Sequence, residues 1–216
     1  MLERSLGYNL ERTFSVEAVS MNKQVAMAIL MLAVGTAGTT VAANAQGAMQ
    51  AKPDQKPTFA MVFDRNLGGV EKEVVSAAEA MPDDKFNFAP TQGEFKGVRT
   101  FAQQIKHIAA VNYMLGAGIL AEKPPIDLKG EDGPDSITSK ADVVKFLKDS
   151  FIYAHKAANS FTETNVLEMV QSPFGSNKIT RLSLAVIMLS HPFDHYGQMV
   201  EYLRMNGIVP PASRGQ

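Results

Sequence analysis

His191 and His195 stand four residues apart in the segment HPFDHYGQMVEYLRMNGIVPPASR, residues 191–214. On a helix that interval stacks both imidazoles on one face, one turn apart. Two imidazoles so placed can grip one metal ion, as the helical H-E-x-x-H motif does. Here Pro192 follows the first histidine where that motif has glutamate, so the metalloprotease motif itself is absent. A third imidazole, His107, lies inside another apolar-periodic segment, between Lys106 and Ile108. If the two segments are neighbouring helices, His107 completes a three-ligand site. Three protein ligands leave a coordination position for water or substrate, the pattern of catalytic rather than structural metal centres. The competing reading makes His107 a core histidine bonded to a neighbour, and spacing alone does not choose between them.

The other polar candidates are weaker. His155 stands among Tyr153, Ala154 and Lys156 and reads as a surface or packing histidine. Asp194 precedes His195 but points about 100° away round the helix, so it is not expected to be a ligand. Gln103, one turn before His107, could touch a metal-bound water. Tyr196 and Tyr202 read as packing residues with wet hydroxyls, and Arg204 as a cation favoured near a helix C-terminus. Met188, Met199 and Met205 read as flexible core filling. No carboxylate has a spacing that recommends it as a general base, so no catalytic residue is assigned.

The elements that must position these residues are helical. Residues 59–81 carry Phe63, Leu67, Val70, Val74, Val75 and Ala78 on one stripe. Residues 82–97 form a connection rich in proline and glycine, with Phe86 and Phe88 docking it onto the core. A second helix over 98–121 offers Phe101, Ile105, Ile108, Ala109, Val111, Met114 and Leu115. A loop with Pro124, Pro125, Gly130 and Gly133 follows. Ser139, with Asp142 three residues on, reads as the N-cap of a third helix running to about residue 162. Its inward face takes Val143, Val144, Phe146, Leu147, Phe151, Ile152 and Ala158. Residues 161–178 read as an irregular connection with a short helical turn. Thr180 opens the last helix, which leads through Leu182, Leu184, Ala185, Ile187, Met188 and Leu189 into the histidine pair. Asn206-Gly207 is a C-cap, and Pro210-Pro211 forbid continuation. Pro192 should kink this helix beside His191, as either a local break or a device that aims that imidazole. Four amphipathic segments with little period-2 alternation predict an all-α four-helix bundle, with its site built from side chains on facing helices.

Composition sets the outer limits. The 216 residues hold 21 Lys and Arg against 22 Asp and Glu, a formal net charge of −1. That balance gives no footprint for nucleic acid or for an anionic membrane surface. There is no cysteine, so disulfides and thiolate ligands are excluded, and any metal site must use His, Asp, Glu or water. Near the N-terminus Lys23, the apolar run Val25 to Val34 and the Ala43-Asn44-Ala45 site read as an export signal over residues 21–45. The apolar run is shorter than the roughly 20 residues a bilayer span needs, so no stable membrane span is expected after cleavage. Residues 1–20 precede a better start at Met21 and read as a mis-assigned extension. Residues 46–58 read as a polar tether. The chain is thus expected to be exported, periplasmic or secreted, with one domain over 59–216.

The segment from His191 to Arg214 resembles the signature of the DinB superfamily of DinB/YfiT-like metalloenzymes. PDDKFNFAPTQGEFKGVRTFAQQIKHIAAVNYML, residues 82–115, is similar to the stretch that carries that family's first ligand histidine. The likeness covers about residues 59–214, although Pro192 and Phe193 stand where members more often carry polar residues. It implies an up-down-down-up four-helix bundle and a divalent metal, typically zinc or nickel, on His107, His191 and His195. Relatives include thiol S-transferases that use bacillithiol or mycothiol and a mycothiol-dependent maleylpyruvate isomerase. In such sites the metal lowers the pKa of a bound thiol or water and so provides a nucleophile near neutral pH. For an exported protein the hydrolytic variant suits better, since such thiols are chiefly cytoplasmic. Two classes of function stay in play: a metal-dependent enzyme acting on a small molecule, and an envelope protein that binds metal or ligand without turnover. A homodimer through bundle faces is permitted. A DNA-processing role is not expected from the charge.

Overall fold

The computed structural model describes residues 56–215. The expected extension, export signal and most of the tether lie outside the described residues. Four helices carry the fold: α1 Phe59–Ala80, α2 Phe101–Leu120, α3 Lys140–Ala158 and α4 Arg181–Met205. They form the expected all-α bundle. α2 packs most extensively on α3; α4 lies against both α1 and α2, and α3 also meets α1. Among the described residues no helix is long and apolar enough to cross a membrane.

Each helix begins where its sequence supplies an acceptor for the orphan N–H groups of the first turn. Thr58, Ser139 and Thr180 accept from Met61, Asp142 and Ser183 respectively. Thr100 and Gln103 form a reciprocal capping box at the start of α2. The docking loop adds two more partners there. Phe101 N–H donates to the Phe88 carbonyl at 2.8 Å and Ala102 N–H to the Phe86 carbonyl at 2.9 Å. Phe86 is buried, and Phe88 meets the Tyr202 ring edge to face, so the expected docking of this loop holds. α4 ends at Asn206 with Gly207 in the left-handed region at φ 72°, a conformation glycine adopts without a Cβ penalty.

Three sequence expectations are corrected. The stretch read as an irregular connection contains a two-stranded antiparallel hairpin, β1 Met169–Gln171 and β2 Lys178–Thr180, with Val170 opposite Ile179. Strands of three residues are too short to show a period. The segment leading into β1 completes α4: Arg181 N–H donates to the Glu168 carbonyl and Leu182 N–H to that of Val166. Ile152, expected inward, is 68% exposed, because the bundle's contact stripe on α3 passes through Phe151 and Tyr153 on either side. Met205, expected as core filling, is 53% exposed in the last turn of α4, while Met188 and Met199 are fully buried as expected.

The α2–α3 interface is close. A Cβ placed on Gly116 would lie 2.8 Å from both Cδ1 and Cε1 of the Tyr153 ring. That ring is held, since its hydroxyl donates to Glu122 Oε1 at 2.8 Å. Gly116→Ala is therefore expected to destabilise the protein by about 1–3 kcal/mol, despite alanine's better helix propensity. Urea unfolding of the variant against the parent measures this.

Candidate metal centre

His107 projects from the middle of α2, and His191 and His195 from successive turns of α4. Because α4 packs against α2, the three rings meet. Ring centroids are 4.9 Å apart for His107 and His191, 4.7 Å for His107 and His195, and 4.6 Å for His191 and His195. All three pairs are edge-on, with interplanar angles of 63°, 78° and 72°. One nitrogen from each ring lies within 4.8 Å of the other two. The Nε2 atoms of His107 and His191 are 3.0 Å apart. His107 and His195 are buried, His191 partly so. Pro192 does not break α4, which runs unbroken from Arg181 to Met205 although the proline nitrogen has no proton to offer the Met188 carbonyl.

Two of the rings are held by their other nitrogen. His107 Nδ1 donates to the Glu131 carbonyl at 2.9 Å. His195 Nδ1 donates to Gln104 Oε1 at 2.5 Å. A neutral imidazole carries one proton, so in both residues Nε2 bears the lone pair that faces the cluster. His191 Nδ1 is buried without a partner, while its Nε2 lies 3.0 Å from His107 Nε2 and, in the metal-free protein, donates to the lone pair there.

The cluster is held neutral. Burial, reinforced by the neighbouring His195, His107 and Arg99, pushes the His191 pKa down to about 3. Burial, then His107, pushes that of His195 down to about 4, with Asp194 opposing. Burial also lowers His107, against the opposing pull of the Glu131 carbonyl. These residues fit a divalent cation. At least two buried lone pairs converge on one point, and two imidazoles oriented by an acceptor on Nδ1 match the usual support of a histidine ligand. With no cation, His191 can offer one proton at most, and a buried acceptor stays unpaired at a cost of about 1–3 kcal/mol.

The expectation for Gln103 is corrected. Its side chain is spent on the Thr100 N–H at 2.8 Å, and the glutamine that reaches a histidine is its neighbour Gln104. The Thr-x-x-Gln pattern of a capping box was the signal available. The Glu131 carbonyl, on the loop between α2 and α3, left no signal in sequence. His155 stays out of the cluster, half-buried between Asp64 at 2.7 Å and Glu71 at 3.2 Å. Asp194 is exposed and outside the cluster, as its position round the helix predicted. Tyr196 and Tyr202 were expected to keep wet hydroxyls; instead they donate to Glu73 and to the Arg99 carbonyl.

A polar cavity of about 650 Å³ lies against Gln104, with Arg99, Lys106, Asp132, Asp135 and Gln198 on its walls. Arg99 reaches across to Asp132 at 3.1 Å. A larger, more apolar cavity of about 860 Å³ sits between the end of α2 and the hairpin and touches none of the three histidines. The polar one is not lined by the histidines either, but it includes Gln104, the partner of His195.

A family model described as the DinB superfamily matches residues 67–199. The crystal structure of a DinB-like protein from Bacillus cereus is similar with a TM-score of 0.55 at 16% identity, covering 69% of this chain and 93% of that one. At that identity the likeness concerns the fold. No curated protein matches the chain.

Proposed function

The chain belongs to the DinB superfamily, and from that premise we propose that it is a metal-dependent enzyme that holds a divalent cation, zinc or nickel, on His107, His191 and His195. The reaction proposed is attack by a thiol or water on a small molecule, of S-transferase or hydrolase type. The observation that carries the reading is the convergence of three neutral imidazoles, two of them with their tautomer set by an acceptor on Nδ1. A cation there supplies Lewis acidity, lowering the pKa of a thiol or water so that its conjugate base is available near neutral pH.

The protein's own part is to present the ligands. Glu131 holds the Nδ1 proton of His107, and Gln104 that of His195. Burial keeps all three rings uncharged, so no imidazolium has to lose its charge before a cation binds. Three uncharged ligands leave the cation's charge undiminished, and Arg99 adds positive potential nearby. No carboxylate side chain among the described residues bonds to the cluster, which is the one observation favouring the alternative, a non-catalytic metal- or ligand-binding protein.

Export through residues 21–45 and a homodimer remain part of the proposal. N-terminal sequencing of the secreted chain and sedimentation equilibrium test them. For the activity, the protein is purified without a histidine tag, its metal is quantified, and it is assayed on electrophilic and ester substrates with and without added thiols. The enzyme reading expects about one metal per chain and turnover that disappears on chelation. Full metal content with no turnover under any of these conditions would favour the binding protein, and absence of metal would end the enzyme reading and the metal-binding form of the alternative.

A further inference from the structure

A histidine ligand is only as good as the group that fixes its tautomer, and for His195 that group is an amide with two unlike ends. The oxygen of Gln104 accepts; its nitrogen donates. Turned the other way, the NH₂ group would face Nδ1, which would then have to carry the lone pair. The ring proton would move to Nε2 and point at the other two histidines. The orientation of one buried side chain therefore decides whether His195 can bind a cation.

That orientation is not left to Gln104. Its Nε2 donates to Gln198 Oε1 at 2.8 Å. Gln198 Nε2 in turn donates to Asp194 Oδ2 at 3.3 Å, along the same face of α4. An ionised carboxylate can only accept. Starting from Asp194, each amide is thus forced to turn its nitrogen outward and its oxygen inward, and the last oxygen meets His195 Nδ1–H. Tyr202 acts in the same sense. Its hydroxyl spends its proton on the Arg99 carbonyl at 3.1 Å, and it interacts with Gln104 through its oxygen.

We propose that Gln104, Gln198 and Asp194 are positioning residues: a hydrogen-bond chain, ending on a carboxylate, that holds His195 in the Nδ1–H form with the Nε2 lone pair turned toward His107 and His191. The use of this chain rests on the metal reading above; its existence does not, because the tautomer is a property of the metal-free protein. Asp194 acts without touching a ligand nitrogen. A simple attraction between its charge and a cation would need no Gln198, which gives the means of separating the two.

The test uses the full chain and Co²⁺ alone as the probe. Nitrogen-15 NMR of the histidine side chains, without metal, reads the tautomer of His195. Competition with a chelating dye reads Co²⁺ affinity, and visible absorption reads the coordination geometry. The variants are Gln104→Leu, Gln198→Leu, Asp194→Asn and the pair Asp194→Asn with Gln198→Glu. Gln198 is half-buried and Asp194 exposed, so their variants should fold. In the parent, His195 is expected with its proton on Nδ1. Gln104→Leu should weaken Co²⁺ binding by about 10–100-fold, and Gln198→Leu and Asp194→Asn by less, about 3–10-fold, with part of the population in the Nε2–H form. The pair should recover both tautomer and affinity, because it places a carboxylate directly against Gln104 Nε2. A parent protein with the proton on Nε2 would overturn the proposal. So would Gln198→Leu behaving as the parent in both readouts, or a pair no better than Asp194→Asn alone. A parent with the expected tautomer that binds no Co²⁺ would leave the chain standing and remove the metal reading instead.

Discussion

His107→Ala is expected to strip the purified protein of its metal, from about one equivalent to a trace. The apparent binding free energy of a zinc site is about 10–16 kcal/mol, so each of a few ligands carries about 3 kcal/mol or more. Losing one should weaken binding by at least about a hundredfold. The change leaves two imidazoles on α4 without the partner across the interface, whose Nε2 lies 3.0 Å from that of His191. His107→Gln, which keeps most of the side-chain volume, should lose metal as fully, separating ligation from packing. His155→Ala is the control. That ring is engaged by Asp64 and Glu71 on α1, away from the cluster, and its loss should leave metal content unchanged. Equal metal in His107→Ala and the parent would remove the site.

Acid should unfold the metal-free protein well above the folded-state pKa values of its buried histidines. In the unfolded chain these rings take up protons near pH 6.5, whereas in the folded protein His191 waits until about 3 and His195 until about 4. Between those limits the unfolded state binds more protons, so stability falls as pH falls. The loss is absent above about pH 7, begins below 6.5 and is complete only below the folded values. At pH 5 it is about 2 kcal/mol for each of the two rings, an order-of-magnitude figure because their charges are coupled. Urea unfolding at pH 7.5 and pH 5 measures it. His191→Gln should flatten the profile in part, because it removes one of the three rings whose protonation burial opposes in the folded protein. A profile that stays flat in the parent between these pH values would show that the cluster is solvated rather than buried.

Local signals in the sequence set out the helices well. Caps at Ser139 and Thr180, the stop at Asn206-Gly207 and the apolar stripe of α1 all follow rules that act over a few residues, so they survive without knowledge of the fold. The same is true of the i, i+4 pair His191 and His195, whose shared face is a property of helix geometry. The resemblance to the family pointed to His107 on a different helix, without giving its distance from the pair.

Where the reading failed, a neighbour decided. Gln103 and Gln104 are both polar and both within a turn of His107. Only the seat of α4 on one side of α2 makes Gln104 buried and leaves Gln103 free to cap. Ile152 and Met205 are apolar by type, yet they fall on helix faces that nothing among the described residues covers. The hairpin before α4 pairs residues 7 to 11 positions apart, and just ahead of it the Glu168 and Val166 carbonyls accept from the first N–H groups of α4, contacts that no local pattern announces.

By itself, then, the sequence determined which segments are helical, where they start and stop, and that two imidazoles share a face, because each depends on contacts within a turn or two. The tertiary structure alone decided that α2 brings His107 to that pair, that Glu131 and Gln104 hold the outer nitrogens, and that burial keeps all three rings neutral. Those are distances between residues 24 to 91 positions apart in the chain, set by packing.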